Sequence, residues 1–453
     1  MPSPAHQHVN KHRPSRRGLF TVGGGLAAAG VLGGGIAAFS GAGADAAQSP
    51  GAAGASPSMS PSTNSSTNSS ANGSAGAAAT TPAELTHFAH PGLLHNAGDL
   101  HRAKVRVAAG RDPWLAGWRR LTGNPHSAST WRSRPQVTVV RGAVPGQNYT
   151  VLYNDIHAAY QNALRWRIAG TRANGDTAVA LLNTWSATLT TLTGNADRFL
   201  AAGIYGYEFA NAAELVRDHP DFAFARFRKM LRTVFYPMNI DFLTRHNDAV
   251  ISNYWANWDL CNLASVMAIG ILLDDHALFR GAVTYLKHGQ GNGSFRNAIP
   301  FRYAGQGLAQ WQESGRDQGH SIMGIGLLGA ICEMAWNQGV DLYGYDENRF
   351  LHAAEYVARY NLGGDVPFTP YGWRSGNGHG KWCEQTVISA TARGQLRPVW
   401  EILHHHYARR RRLATPNVTA MAEKVRAEGG GGDYGPNSGG YDQLGFGTLL
   451  YSK

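Results

Sequence analysis

The chain has 453 residues, which is longer than a typical single domain, and a formal net charge of +11 at pH 7. The basic balance favours an anionic partner, but the Lys and Arg residues are dispersed and match no nucleic-acid-binding module, which argues against nucleic acid. The three cysteines have no metal-ligand spacing and leave at least one thiol unpaired in a monomer, so no metal is predicted from them.

The N-terminus has the pattern of a twin-arginine export signal over residues 1–47. Arg16 and Arg17 precede a Gly- and Ala-rich stretch, and Ala44-Asp45-Ala46 offers a small-residue cleavage site. A lone membrane anchor is the alternative, but the Gly-rich run is weakly apolar for a span. Residues 48–82 are almost wholly small or polar, which predicts a flexible linker. We therefore expect secretion, no stable membrane partner after cleavage, and one folded catalytic domain over 83–453.

From residue 155 to residue 428, one helical pattern follows another. Apolar residues recur at helical spacing, which predicts helices over 155–170, 177–192, 224–235, 260–273, 321–338, 350–361 and 398–409. Strand-like alternation is confined to 136–144 and 444–451. The sequence therefore predicts a mostly α fold, and the absence of a fixed repeat favours an incomplete (α/α) toroid of helical hairpins over a solenoid.

Two long connections are predicted to lie at one mouth of this toroid. Residues 287–318 are rich in Gly, Asn and aromatic residues, and 429–440 form a Gly-rich loop and a candidate lid. We expect the mouth to hold the functional cleft.

The densest polar cluster lies at the end of the first connection and enters the apolar helix predicted over 321–338. Polar groups at the start of a buried helix must pair with one another or face a ligand. The cluster is Trp311-Gln312-Glu313-Ser314-Gly315-Arg316-Asp317-Gln318-Gly319-His320.

Two further segments share this mixture of aromatic and polar residues. One is Asn253-Tyr254-Trp255-Ala256-Asn257-Trp258-Asp259, in which two tryptophans could stack on sugar rings while Asn257 offers an amide to a carboxylate. Core tryptophans and helix-capping polar residues are the alternative interpretation. The other is the loop over residues 295–303, which carries Arg296, Arg302 and Tyr303.

Together these segments resemble the alginate-lyase superfamily, and most specifically the glucuronan and alginate lyases of polysaccharide lyase family 38, over about residues 85–410. The run Glu313-Ser314-Gly315-Arg316-Asp317-Gln318-Gly319-His320 is the most specific part. Where the related family 5 alginate lyases have an Asn-Asn-His-Ser-Tyr-Trp motif, this chain has Ser252-Asn253-Tyr254-Trp255-Ala256-Asn257-Trp258, which lacks the histidine.

The resemblance implies β-elimination on an anionic polysaccharide, alginate or glucuronan, without a cofactor or a metal. The C5 proton becomes acidic only when the C6 carboxylate is neutralised, a role for Arg316, Asn257 and His320. Tyr303 would act as base and acid, with Arg296 or Arg302 lowering its pKa from ~10, and Tyr254 is the runner-up. The residues expected to bind the sugar chain are Tyr254, Trp255, Trp258, Arg302, Trp311, Gln312, Glu313, Asp317 and Gln318.

Each of these residues also has a structural interpretation. Arg316 could only form an ion pair with Glu313 or Asp317, Tyr303 could only line a loop, and His320 could only cap the helix. Two other functions stay open: an inverting glycoside hydrolase that uses Glu313 and Asp317, and an exported glycan-binding protein without turnover. The run 404–406 of three histidines points in different directions on a helix, which argues against a metal there. We expect a monomer.

Overall fold

The computed structural model describes residues 85–435 and 441–453. The predicted export signal and the whole of the predicted linker therefore lie outside the described residues. The helices are α1 (Ala97–Ala108), α2 (Trp114–Gly123), α3 (Tyr149–Ala169), α4 (Arg172–Thr188), α5 (Arg198–Leu215), α6 (Phe224–Met230), α7 (Tyr236–Arg245), α8 (Ala256–Leu272), α9 (His276–His288), α10 (Phe295–Ala298), α11 (Gln318–Asn337), α12 (Tyr345–Asn361), α13 (Trp400–His404), α14 (Pro416–Val425) and α15 (Gly447–Tyr451). Two π-helical turns, Leu231–Phe235 and His405–Arg410, continue α6 and α13.

The strands form three separate two-stranded ladders in the part of the chain that the structure describes. They are β1 (Thr138–Arg141), β2 (Thr191–Gly194), β3 (Phe301–Tyr303), β4 (Leu308–Gln310), β5 (Tyr371–Ser375) and β6 (Lys381–Gln385). The first pair is parallel, with Thr138 opposite Thr191. The β3–β4 and β5–β6 pairs are antiparallel, with Phe301 opposite Gln310 and Tyr371 opposite Gln385.

Three helices, α5, α8 and α11, are buried on nearly all sides and form the centre of the core. Two glycines let α5 and α8 approach closely. A Cβ atom at Gly203 would lie 2.4 Å from the Cys261 sulfur, and one at Gly206 would lie 2.1 Å from the Ser265 hydroxyl oxygen. Any larger residue would push the two helices apart. This packing fixes where the first turns of α8 and α11 lie.

The prediction of a mostly α fold is confirmed, and each of the seven predicted helices overlaps an observed one. The expected strand over 444–451 is wrong. Phe446 has a left-handed backbone (φ 61°), and the residues after it form α15. There Leu449 packs against α2, where a Cβ atom at Gly117 would lie 2.8 Å from the Leu449 backbone nitrogen. The alternation of large and small residues in this segment therefore reflects packing on α2 and not strand pairing.

None of the described helices is long and apolar enough to cross a bilayer. The three cysteines form no disulfide: Cys261 and Cys332 are buried, and Cys383 on β6 is partly exposed.

Candidate active site

The turn between β4 and α11 caps the start of α8. The Gln312 side-chain oxygen accepts a hydrogen bond from the Ala256 amide at 3.1 Å, and the Glu313 carboxylate accepts one from the Asn257 amide at 2.9 Å. Amides in the first turn of a helix have no partner within the helix, and the positive end of the helix dipole favours an anion there. Two segments that are 56 residues apart in sequence are thereby joined.

Glu313 is the centre of a buried polar network. Asn257 Nδ2 donates to both carboxylate oxygens at 3.0 and 2.8 Å, and Arg316 Nη1 donates to Oε2 at 2.8 Å. The side chain of Glu313 is fully buried. Burial raises the pKa of this carboxyl group, against the opposing charges of Arg316 and His320. Glu313 therefore positions Asn257 and Arg316 and is itself closed to a ligand.

Asp317 holds His320 in one orientation. As the N-cap of α11, it accepts a hydrogen bond from the His320 amide at 2.7 Å, and its second oxygen lies 2.7 Å from His320 Nδ1. Burial raises the pKa of Asp317, but the hydrogen bonds and charge of His320 outweigh burial, so the pKa is lowered overall. Asp317 is thus ionised at neutral pH and favours a proton on Nδ1.

The other nitrogen of the imidazole faces Arg316. His320 Nε2 lies 3.2 Å from Arg316 Nη2, which can only donate a hydrogen bond. Nε2 is therefore an acceptor, and the hydrogen bonds assign a neutral imidazole with its lone pair beside a guanidinium group. The His320 and Arg316 side chains are 28% and 18% exposed, so both are partly accessible to a ligand.

Aromatic rings cover this network from two elements. Arg316 stacks on the Trp255 ring at 5.1 Å, and Trp255 contacts Trp373 of β5 with 4.8 Å between ring centroids. The Tyr371 hydroxyl, also on β5, donates to the Gln312 carbonyl oxygen. The β5–β6 hairpin thus forms a wall of the site.

Tyr303 lies at the end of β3, beside this wall. Its hydroxyl hydrogen-bonds to Gln310 Oε1 at 2.7 Å and to Thr369 Oγ1 at 2.8 Å, and its ring stacks on Tyr356 at 6.2 Å. Thr369 lies two residues before Tyr371, so the tyrosine belongs to the same side of the site as the hairpin.

The structure does not bring the two arginines of the loop to the Tyr303 hydroxyl. Arg302 donates to the Asp346 carbonyl oxygen at 2.6 Å and lies 3.5 Å from the carboxylates of Asp346 and Glu347, at the start of α12. Arg296 is exposed, and its charge acts on the same Asp346. Both arginines therefore serve the start of α12.

Five residues expected to contact sugar are buried, namely Trp258, Trp311, Gln312, Glu313 and Gln318, and Tyr254 is partly buried. Trp311 is fully buried under α11, where a Cβ atom at Gly324 would lie 2.4 Å from its ring, and Trp258 is 8% exposed. Gln318 is buried and bonds to the Ser314 carbonyl and the Asn361 amide. Tyr254 packs on Trp258 at 4.6 Å, and burial raises its pKa. Among the tryptophans of the two motifs, Trp255 is the most accessible.

Tyr371 and Trp373 were missed at the sequence level, although a signal for them exists. Residues 371–375 and 381–385 are short runs with aromatic residues, and Gly376, Asn377, Gly378 and Gly380 lie between them, a composition typical of a hairpin turn. The three consecutive histidines do not converge: His404 contacts Thr419, His405 contacts Glu401, and His406 stacks on Tyr343.

Several solved structures share this fold. Alginate lyase A1-III from Sphingomonas species A1 is 15% identical, with 83% of this chain and 99% of that chain covered and a TM-score of 0.52. Its histidine-to-alanine variant in complex with a tetrasaccharide is 15% identical, with 81% and 97% covered and a TM-score of 0.51. An alginate lyase from Bacteroides ovatus is 12% identical, with 80% and 99% covered and a TM-score of 0.50. These similarities confirm the predicted (α/α) toroid.

The family comparison covers the segment that carries the candidate site. The alginate lyase family profile matches residues 146–368, which contain Asn257, Tyr303 and the network around Glu313. The match and the shared helical toroid support a polysaccharide lyase. Over the matched segment, the chain is similar to the alginate-lyase superfamily. No curated protein matches the chain. The β5–β6 hairpin lies just beyond the matched segment.

Proposed function

We propose that this protein cleaves a uronic-acid polymer, alginate or glucuronan, by β-elimination. The observation that carries the proposal is the contact between His320 Nε2 and Arg316 Nη2 at 3.2 Å, in a network fixed by Asp317 and Glu313. It joins a hydrogen-bond acceptor to a cation at the surface of a cleft, which is what removal of a proton next to a carboxylate requires.

Arg316 is proposed to bind the C6 carboxylate of the reacting sugar, whereas Asn257, which is buried and donates its side-chain amide to Glu313, supports the network from inside. Arg316 is fixed by Glu313 and by the Trp255 ring, so little side-chain entropy is lost when it binds an anion. A carboxylate that draws Nη2 towards itself also frees His320 Nε2. Substrate binding would thus neutralise the carboxylate and expose the base in one step.

We assign the proton transfers to His320 and Tyr303. His320 Nε2 takes the C5 proton, the C5–H electrons form the C4–C5 double bond, the C4–O4 bond breaks, and the Tyr303 hydroxyl protonates the leaving O4. The alternative is the prediction from the sequence, in which Tyr303 performs both transfers. Two hydrogen bonds support the division of labour: the Tyr303 hydroxyl donates to the Gln310 side-chain oxygen and contacts the Thr369 hydroxyl, and both partners are neutral.

The decisive assay is a panel of alginate, glucuronan and a neutral glycan incubated with the purified chain. We expect new ultraviolet absorbance from a C4–C5 double bond conjugated with the carboxylate, on uronic-acid polymers only. New reducing ends without that absorbance would instead support the glycoside hydrolase, and binding without products would support a glycan-binding protein. The hydrolase is disfavoured because Glu313 is fully buried and Asp317 is engaged by His320.

The two proton transfers can be separated by exchange of the C5 proton in D₂O. Tyr303→Phe retains the base, so C5 should exchange with solvent deuterium while elimination is lost. His320→Gln should lose both exchange and elimination. If Tyr303→Phe also abolishes exchange while His320→Gln retains it, Tyr303 is the base and performs both transfers.

Export through the twin-arginine pathway is a further part of the proposal. Arg16-Arg17 and the small-residue site at 44–46 support it. Replacing both arginines by lysine should leave the unprocessed chain inside the cell, as measured by fractionation. Processing and export that are unaffected by the replacement would exclude this route.

A further inference from the structure

A second concave surface lies between α2, α14 and the loop that follows α14. This depression has a volume of ≈560 Å³ and shares no residue with the candidate active site. Its volume is within the range of sites that hold small ligands, about 300–1,000 Å³. We name it the α2–α14 pocket.

The lining of the α2–α14 pocket is strongly basic. It contains four cations, Arg119, Arg120, Lys424 and Arg426, and one carboxylate, Asp433. Such an excess of positive charge in a concave surface strengthens the local electrostatic potential and attracts anions.

Two of the four cations already have partners, and two do not. Arg120 Nε lies 3.2 Å from the Asp433 carboxylate, and Arg426 pairs with the buried Glu401 at 2.7 and 3.0 Å. Within residues 85–435 and 441–453, Arg119 and Lys424 form no ion pair, and both are exposed. A guanidinium and an ammonium group are therefore available on opposite sides of the depression, on α2 and on α14.

The remaining surface of the pocket is apolar or aromatic. Leu396 is 37% exposed, and Tyr434 also lines the pocket while its hydroxyl accepts a hydrogen bond from the Gly429 amide at 3.0 Å. A sugar ring with a carboxylate combines an apolar ring face with an anion. A free inorganic anion would use the cations and leave Leu396 and Tyr434 without a role.

We propose that the α2–α14 pocket is a second, non-catalytic site that binds a uronate unit of the polymer, with Arg119 and Lys424 on the carboxylate and Leu396 and Tyr434 against the ring. This inference rests on the proposed function for its choice of ligand. A second attachment point keeps the polymer near the cleft at a high effective concentration.

Binding to immobilised alginate tests the proposal, with His320→Gln in every variant to prevent turnover. Arg119→Ala with Lys424→Ala should weaken binding by about tenfold, the change that corresponds to the loss of one charge-assisted hydrogen bond. The matched control is Lys104→Ala with Arg280→Ala, which removes the same charge from exposed residues of α1 and α9 and should bind as the parent does. Equal thermal unfolding midpoints exclude misfolding as the cause.

Several results would overturn the proposal. Equal losses in the two double variants would mean that only net charge matters, and no loss in either would mean that the pocket is empty in solution. If the pocket variant lost binding to DNA as strongly as binding to alginate, the site would recognise polyanions in general. A chain that cleaves no uronic-acid polymer but binds alginate through this pocket would refute the proposed function and leave the pocket assignment standing.

Discussion

At the scale of single residues, the proposed chemistry depends on which nitrogen of His320 carries the proton. Asp317 fixes this through its 2.7 Å contact with Nδ1 and also caps α11. Asparagine caps helices as well as aspartate does, but it cannot favour the required tautomer with a charge.

Asp317→Asn should therefore lower kcat by roughly 10²-fold or more, with a small change in KM and an intact fold. Steady-state kinetics and thermal unfolding measure the two effects. Asp365→Asn removes a carboxylate from an exposed position after α12 and is the control. A kcat close to that of the parent chain would show that the orientation of His320 is irrelevant to catalysis.

The ion pair between Arg316 and Glu313 should contribute to the stability of the folded chain. Arg316→Ala would leave a fully buried carboxylate without its cation, which costs about 3 kcal/mol for a buried pair. Urea unfolding should show this loss, and turnover should fall with it. Arg316→Lys keeps a charge beside Glu313, so it should restore most of the stability but little of the activity, since lysine lacks the planar pair of donors. Unfolding curves of Arg316→Ala that match the parent would mean that Glu313 is protonated and needs no partner.

At the scale of elements, the β5–β6 hairpin separates one functional face from one exposed face. Trp373 contacts Trp255, whereas Trp382 pairs with Arg374 in the ladder, is 53% exposed and faces solvent. Trp373→Ala should raise KM by about threefold to tenfold, since one aromatic contact is removed from the wall of the cleft, with little effect on kcat. Trp382→Ala on the same hairpin should leave KM unchanged. Equal effects of the two substitutions would assign the hairpin a role in stability only.

At the start of α13, Glu401 of this helix meets Glu428 of the loop after α14, and the two carboxyl groups have opposite pKa shifts. Glu428 is buried and accepts hydrogen bonds from the Trp400 and Glu401 amides at 2.8 and 3.0 Å. Burial and the nearby Glu401 raise the pKa of Glu428 to about 8. Burial also acts to raise the pKa of Glu401, but His405 and Arg426 outweigh it and lower this pKa to about 2. The folded chain therefore holds a proton on Glu428 that the unfolded chain releases.

Stability should thus fall as the pH rises from about 4.5 to about 8, because the native state binds more protons than the unfolded state in this window. Glu428→Gln keeps an acceptor for the two amides and removes the decline. The unfolding midpoint of the parent should fall between pH 5 and pH 8, and that of Glu428→Gln should fall less. Each kcal/mol of difference in stability corresponds to roughly 2 °C in the midpoint. Glu423→Gln, an exposed position on α14, is the control. An unchanged pH slope in Glu428→Gln would mean that Glu428 is ionised in the folded chain.

Helices with recurring apolar residues could be predicted from the sequence, whether or not they have a polar face. The helices α8 and α11 were predicted although they are buried on nearly all sides, and α3 and α4 were predicted although they begin up to six residues earlier than the pattern shows. The helix α5 is buried to the same degree and was missed, because its run of Ala, Gly and aromatic residues carries no periodicity. The same limit applies to the site. The composition of the sequence located the Glu313–His320 cluster. Only the packing of the fold shows that Trp311 is buried under α11 and that Trp373 contacts Trp255.

At the scale of the whole molecule, salt should weaken the long-range attraction of an anionic polymer more than it affects the reaction at the partly buried site. Lys11, Arg13, Arg16 and Arg17 against Asp45 account for +3 of the +11, which leaves +8 on the rest of the chain. A polyanion approaching this body is guided by exposed cations, including those of the α2–α14 pocket, and salt screens such interactions. The proposed carboxylate contact is made by Arg316, whose side chain is only 18% exposed, so salt should affect it less.

We therefore expect KM to rise several-fold between ~0.1 M salt, where the screening length is about 10 Å, and ~1 M, where it is about 3 Å, while kcat changes little. The double variant Arg119→Ala with Lys424→Ala should show a smaller rise, because part of the screened attraction is already missing. Steady-state kinetics on alginate over a salt series measure both slopes. A KM that is indifferent to salt would mean that stacking on Trp255 and Trp373 dominates recognition. Such a result would favour a neutral glycan as the substrate and, with it, the hydrolase.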